Sequence, residues 1–276
     1  MSMQIARSVS LVIGVLAPLA SHAAVAAEQI IMLAPNEIKW EKFGSWQRAI
    51  LAGDAATPGC PLTVRHKLPA RARVPEHAAG QDRIYTVLAG TLAVGFGKQS
   101  DRAQLKSMPP GSFFISPAHA GTYQTTAEEV TYQESVIGPG GNGCAKLKTA
   151  LKPYMITAKD MLWQPYGLTT MRIILLGDAN RFHCPPYTDR LKWAPGTRVP
   201  EHPDHEDRTY TVLSGTLYVG IGEKWDDKAL RRMPAGSFIA IPAGLSRYFK
   251  TDAETVVQTS VTGFPSKDVD DCEAAE

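Results

Sequence analysis

The chain has 276 residues, a formal net charge of +2 at neutral pH, 44% hydrophobic residues and 20% charged ones. That balance is globular and excludes a disordered chain. Acids and bases are interspersed, so the clustered positive charge that nucleic acid or an anionic membrane surface would need is absent from the sequence.

The N-terminus carries Arg7, then the apolar run Val9 to Ala20, then the small-residue stretch Ser21 to Ala27. This order predicts a secretory signal peptide over 1–27, cut after Ala23, Ala26 or Ala27, with Ala27 favoured. The run is shorter than the ~20 residues that span a bilayer. The remaining chain is therefore expected to be periplasmic or secreted, with no membrane association. Removing 1–27 deletes Arg7 and no acid, so the formal charge falls from +2 to +1.

After the leader, the chain contains itself twice. Val74 to Gly97 returns as Val199 to Gly222 with 16 of 24 positions identical, at an offset of 125 residues. Met108 to Ala118 returns as Met233 to Ala243 at the same offset, and Arg48 to Asp54 returns near Arg172 to Asp178 at an offset of 124. A period of this size is that of a whole domain, which predicts two tandem domains over 28–145 and 146–276. Within each, short runs of alternating apolar residues (Ile84 to Gly97, Ser112 to Ala118, Val130 to Gly138 in the first) are separated by Gly, Pro and Asp clusters. That pattern predicts an all-β sandwich or barrel. Brief helix-like stretches are expected only around Ala103 to Lys106 and Asp227 to Arg231, and a basic linker around Gly143 to Tyr154.

Cys60 and Cys184 sit just before the repeated blocks, and Cys144 and Cys272 just after the last strand-like run of each repeat. Four cysteines suit an oxidising compartment, and of the three connectivities the within-repeat pairs Cys60 with Cys144 and Cys184 with Cys272 are preferred. The sequence Gly138, Gly140, Gly143 spells a dinucleotide-type glycine pattern, but no helix is predicted after it, so it is read as a loop. Trp40 and Trp163, at corresponding places, are read as packing residues at a barrel edge.

The spacing of the second repeat resembles the cupin superfamily, and the duplication resembles a bicupin. Gly196, His202, Asp204, Arg208 and Gly215, then Gly236, Pro242, Gly244, Arg247 and Thr251, fall on the two cupin motifs without a gap. In the first repeat the same positions hold Arg71, His77, Ala79, Arg83 and Gly90, then Gly111, Pro117, His119, Thr122 and Thr126. The resemblance implies two double-stranded jelly-roll barrels, and pairing of two copies through exposed sheet edges. It also implies a metal held by three histidines and a glutamate. Here those positions read His202, Asp204, Arg208 and Arg247 in the second repeat, and His77, Ala79, Arg83 and Thr122 in the first. A guanidinium has five N–H donors, no acceptor and a fixed positive charge, so it opposes a cation where a ligand should be.

Three functions remain open from the sequence. The leading one is a binding protein, with no cofactor expected, in which Arg208 and Arg247 hold a small anionic molecule and His202, Asp204 and Tyr210 orient it. Asp204 is expected to neutralise only one arginine, leaving the other for a carboxylate or phosphate. The alternative to this arrangement is a structural cluster in which Asp204, Glu206 and Asp207 neutralise both. The second is a metal-dependent oxygenase or isomerase with one divalent transition metal on His202, Asp204 and His205. Residues two apart on a strand share a face, so His202 and Asp204 would converge while His205 points away, unless a bulge reverses the choice. The third is a metal-free isomerase or epimerase, with His202 paired to Asp204 as general base and Tyr210 as general acid. The first repeat is read as a scaffold under all three.

Overall fold

The computed structural model describes residues 29–57, 60–97, 105–138, 151–178 and 186–263. The leader at 1–27, the linker glycines and Cys144, Cys184 and Cys272 lie outside the described residues. Cys60 is disulfide-bonded.

Alternating sequence becomes strand almost throughout. The first half forms β1 (Ile31–Leu33), β2 (Glu41–Phe43), β3 (Trp46–Ala52), β4 (Leu62–Leu68), β5 (Arg73–Ala78), β6 (Arg83–Ala89), β7 (Leu92–Phe96), β8 (Lys106–Met108), β9 (Phe113–Ser116), β10 (Gly121–Thr126) and β11 (Val130–Val136). The second forms β12 (Tyr154–Ile156), β13 (Gln164–Pro165), β14 (Thr170–Leu176), β15 (Tyr187–Trp193), β16 (Arg198–His202), β17 (Arg208–Ser214), β18 (Thr216–Ile221), β19 (Arg231–Pro234), β20 (Phe238–Ile241), β21 (Arg247–Lys250) and β22 (Thr255–Val261). Single 3-10 turns at Pro35–Glu37, Ala158–Asp160 and Asp227–Ala229 are the only helical residues among those described. The helix expected from Asp227 to Arg231 is thus one turn, because Arg231 already pairs with Val219 in β19. Lys106 likewise opens β8 rather than closing a helix.

Each half builds a barrel from a seven-stranded and a four-stranded antiparallel sheet. The orders are β12-β9-β6-β11-β4-β3-β2 with β5-β10-β7-β8, and β1-β20-β17-β22-β15-β14-β13 with β16-β21-β18-β19. The period of two along β6 sends Tyr85 and Val87 into the first barrel with Leu92, Met108 and Phe114, and Ile84 to the opposite face with Phe113, Ile115 and Leu175. In the second barrel Tyr210 and Val212 face inward with Trp193, Leu217 and Phe249. The two seven-stranded sheets therefore use both faces, one for a barrel core and one against the other barrel.

The sheets do not divide at the sequence boundary between the repeats. β1 pairs with β20 (Met32 opposite Ile239), and β12 pairs with β9 (Met155 opposite Phe114). Met32 packs on the second barrel's core and Met155 on the first's. Each barrel thus borrows an edge strand from the other half of the sequence.

Between the barrels lie two buried arginines at equivalent positions. Arg65 donates to Gln133 Oε1 (3.1 Å) and to the Gly236 carbonyl of the other barrel (2.5 Å). Arg190 donates to Gln258 Oε1 from Nε and Nη2 (3.1 and 3.0 Å) and to the Gly111 carbonyl (2.5 Å). Thr86 and Thr211 close the arrangement on Gln258 (2.9 Å) and Gln133 (3.2 Å) across the interface. Among the described residues no carboxylate is bonded to either guanidinium, and burial lowers Arg65 to about 10 and Arg190 to about 9.

Candidate functional site

The second barrel gathers the residues singled out from the sequence at one end. His202 ends β16 opposite Arg247 at the start of β21, and Arg208 opens β17 opposite Ile241. The β16–β21 register slips between Val199 and His202, so the bulge allowed for lies before the histidine rather than between it and Asp204. Asp204 follows in the turn between β16 and β17. The turn is held by Gly244 N donating to the Asp204 carbonyl (2.7 Å) and Ala243 N donating to Asp207 Oδ1 (2.8 Å).

Asp204 does not choose between the arginines. Its Oδ2 lies 2.7 Å from Arg208 Nε and in ion-pair contact with Arg247 Nη2, and it accepts from the Tyr210 hydroxyl at 3.3 Å. The expectation that one guanidinium would be left without a carboxylate is therefore corrected, because one oxygen bridges both. Arg247 is 2% exposed and each of its nitrogens is engaged: Nε and Nη2 on the Tyr210 hydroxyl (3.2 and 3.0 Å) and Nη1 on the His202 carbonyl (2.9 Å). Burial lowers its pKa to about 10 and pushes the Tyr210 phenol well above its ordinary range.

Arg208 is less well served. Its Nε is close to Asp204 but not aligned for a hydrogen bond. Nη1 reaches Thr259 Oγ1 at 3.5 Å and Nη2 lies 3.8 Å from Glu206 Oε2. Asp207, expected to share in neutralising the arginines, instead caps the Ala243 turn.

His202 turns its Nδ1 to the Pro200 carbonyl (2.8 Å), not to Asp204. The catalytic pairing of His202 with Asp204 read from the sequence is thereby corrected: two residues apart on an irregular strand end, the imidazole meets its own backbone first. Burial, together with the charges of Arg247 and Arg208, holds this imidazole below its ordinary value. His205 is exposed. Among the described residues no three His, Cys, Asp or Glu side chains converge to hold a metal ion. Of the set His202, Asp204 and His205, His205 is exposed while His202 is half-buried, and Asp204 Oδ2 is already in contact with two guanidinium groups, whose charge opposes a cation there.

Sequence reasoning missed the next layer. Asp189, on β15, accepts from Thr259 Oγ1 (2.5 Å) and from the Tyr187 hydroxyl (3.0 Å), and burial raises its pKa. An acid beside an arginine in the middle of a predicted strand, Asp189 next to Arg190, was the available signal. The first barrel was read as a scaffold, yet it holds a part-buried ion pair of Arg83 Nη1 with Glu134 Oε1, and His66 Nε2 lies 3.4 Å from Glu134 Oε2. Burial opposes ionisation of Glu134, but the bond from His66 and the Arg83 charge outweigh it and hold the carboxyl below its ordinary range. His77 bonds its own Pro75 carbonyl at 3.1 Å, as His202 does Pro200. Trp40 and Trp163 carry Lys67 and Lys192 over their rings at 4.7 and 4.6 Å, matching the edge-packing expectation.

No family model and no curated protein sequence matches this chain. Solved structures do. An oxalate decarboxylase from Lactobacillus farciminis, in complex with formate, superposes with a TM-score of 0.60 at 11% identity, covering 89% of each chain. A cupin 2 conserved barrel domain protein from Leptotrichia buccalis gives 0.59 at 11% identity, over 83% of this chain and 95% of that one. A salicylate 1,2-dioxygenase from Pseudoaminobacter salicylatoxidans gives 0.56 at 12% identity, over 77% of this chain and 73% of that one. At these identities the likeness is one of fold.

Proposed function

We propose that this protein, which has the cupin fold in its two-barrel form, binds a small organic anion in the second barrel through Arg208, without a metal. The observation that supports it most is the state of the Arg208 guanidinium. It is nine-tenths buried, yet among the described residues none of its contacts is a short, aligned hydrogen bond, whereas Arg247 beside it is fully engaged. A carboxylate fits such a fork with two parallel hydrogen bonds. Arg247 and Tyr210 then serve as the buttress that keeps Asp204 against Arg208, a narrower role for Arg247 than direct ligand contact. Two of the fold relatives are named for small organic acids, formate bound in one and salicylate the substrate of the other, which agrees in kind with this choice of ligand.

The reading includes export. Cleavage after Ala27 gives a mature chain beginning at Glu28, the within-repeat pairs Cys60 with Cys144 and Cys184 with Cys272 close the two barrels, and two copies associate through sheet edges. Sequencing the N-terminus of protein recovered from the periplasm tests the first point.

The decisive experiment is thermal stabilisation by formate, acetate, oxalate and phosphate, run with elemental analysis on untagged protein. A rise in melting temperature that saturates with at least one of these anions and disappears in Arg208→Met, with circular dichroism unchanged, is the expected result. Stoichiometric transition metal that is lost in His202→Ala would overturn it. So would an Arg208→Met variant more stable than the parent with no anion effect in either, which is the behaviour of a purely structural cluster.

A further inference from the structure

The two barrels differ in what meets an arginine common to both. Arg83 opens β6 and Arg208 opens β17, 125 residues later. The neighbouring strands β11 and β22 keep one register: Glu134 lies opposite Tyr85 and Val64, and Thr259 opposite Tyr210 and Asp189. Glu134 and Thr259, also 125 residues apart, therefore hold the same position in their barrels.

At that position the first barrel supplies a carboxylate and the second does not. Arg83 Nη1 is paired with Glu134 Oε1. Arg208 Nη1 reaches instead the shorter Thr259 side chain, whose Oγ1 is 3.5 Å away. In the second barrel the acid stands one strand further back. Thr259 Oγ1 donates to Asp189 Oδ1 at 2.5 Å and the Tyr187 hydroxyl donates to Oδ2 at 3.0 Å, so Asp189 is engaged by two hydroxyl groups. Beyond its Cα, the Glu134 side chain is two methylenes and a carboxylate, the size of propionate. It shows, within the same protein, how a short carboxylate sits against this arginine.

The surroundings of Arg208 favour one negative charge and oppose a second. Arg247 is fully engaged, and Arg172, whose charge also reaches Asp189, lies over the Tyr166 ring at 4.0 Å. Among the described residues one guanidinium is thus left for a ligand. Around it stand Asp204, Glu206 at 3.8 Å, and Asp189 behind the Thr259 hydroxyl. Burial already pushes the Asp189 carboxyl up, so this wall resists added negative charge. The remaining neighbours have become apolar. His66, 3.4 Å from Glu134 in the first barrel, is replaced by Leu191, and Tyr132 by Val257, both packed in the second barrel's core.

We propose that the second barrel's site takes a short aliphatic monocarboxylate, held at the place that Glu134 fills in the first barrel, with its carboxylate on Arg208 beside Thr259 and its chain toward Leu191 and Val257. This rests on the anion-binding reading above and narrows it. Thr259 and Asp189 become the residues that set specificity, the first by being short and the second by opposing a second charge.

The test is calorimetric titration of the full-length protein with propionate, malonate and inorganic phosphate at neutral pH. Propionate should bind saturably and about tenfold or more tighter than phosphate or malonate, in which a second carboxylate replaces the methyl group. Asp189→Asn keeps an acceptor for both hydroxyls and removes a charge, so malonate should gain on propionate by about threefold or more. Thr259→Glu copies Glu134 and should weaken propionate about tenfold or more, with circular dichroism unchanged. If that variant does not fold, Asp189→Asn decides. Malonate or phosphate binding as tightly as propionate would overturn the monocarboxylate assignment and leave the anion site standing, as would an unchanged malonate-to-propionate ratio in Asp189→Asn. A folded Thr259→Glu that binds propionate like the parent would overturn the placement at Thr259. Absence of binding by all three anions would overturn both this assignment and the anion site itself.

Discussion

Asp204 is the residue on which the second barrel's charge balance turns, and its removal makes a quantitative test. One carboxylate oxygen stands against two guanidinium groups and accepts from a buried phenol, with Arg247 2% and Arg208 9% exposed. Asp204→Ala leaves Glu206, 3.8 Å from Arg208, paired with that arginine and leaves Arg247 with no carboxylate in ion-pair contact among the described residues. Uncovering a buried charge in this way costs about 3–5 kcal/mol. At roughly 2–4 °C per kcal/mol for chains of this size, the melting temperature should fall by about 10 °C. The loss should be recoverable in two ways. A small carboxylate that fills the vacated position restores stability by mass action, about 2.7 kcal/mol when its concentration is 100 times its Kd. The first repeat also shows a natural remedy, since it has Ala79 and Thr122 where the second has Asp204 and Arg247. Asp204→Ala combined with Arg247→Thr should therefore be more stable than Asp204→Ala alone, a non-additivity of at least about 1 kcal/mol. The assay is thermal and urea unfolding followed by circular dichroism, with and without acetate. An Asp204→Ala variant as stable as the parent, or a double variant showing simple additivity, would refute the reasoning.

Other consequences follow from particular contacts. Gln258→Leu removes the acceptor of two Arg190 N–H groups and leaves a buried guanidinium short of partners. It should cost about 3–5 kcal/mol in urea unfolding, more than Arg190→Met, which removes the charge itself. The imidazole of His202 is held below its ordinary 6.5, so on acidification the unfolded chain takes up that proton first. Its contribution to stability is present above pH 6.5 and lost as pH falls through the depressed value, and a profile of melting temperature against pH should flatten there in His202→Asn. Glu134, held below its ordinary 4.5, contributes stability above that pH which is lost as pH falls through its folded value. In Glu134→Gln the acid limb of the same profile should shrink, at the cost of a lower plateau, because Arg83 loses its carboxylate.

How far the sequence reaches differs between the fold and the site. Period-two alternation in Arg83–Ala89 and Arg208–Ser214, with glycines at the turns, dictates strands whose inward residues are Tyr85, Val87, Tyr210 and Val212, and the structure places them so. Motif spacing likewise placed His202, Asp204, Arg208 and Arg247 at one end of one barrel. Spacing does not say which atom meets which. That Asp204 bridges two arginines, and that His202 is spent on Pro200, depends on side-chain directions at a strand end and a turn, where no periodicity operates. Asp189 and Glu134 went unread because an acid within a strand of mixed polarity declares itself as buried only when the strand beside it is known.

The duplication, the strand class and the loss of the usual ligand set were determined by the sequence itself, because repetition, alternation and residue chemistry are local properties of a chain. Tertiary structure alone decided that β1 and β12 cross to the opposite barrels and that Arg65 and Arg190 cap the glycine turns of their neighbours. Those outcomes depend on residues about 40 to about 210 positions apart meeting, and no local pattern of the chain announces such pairings.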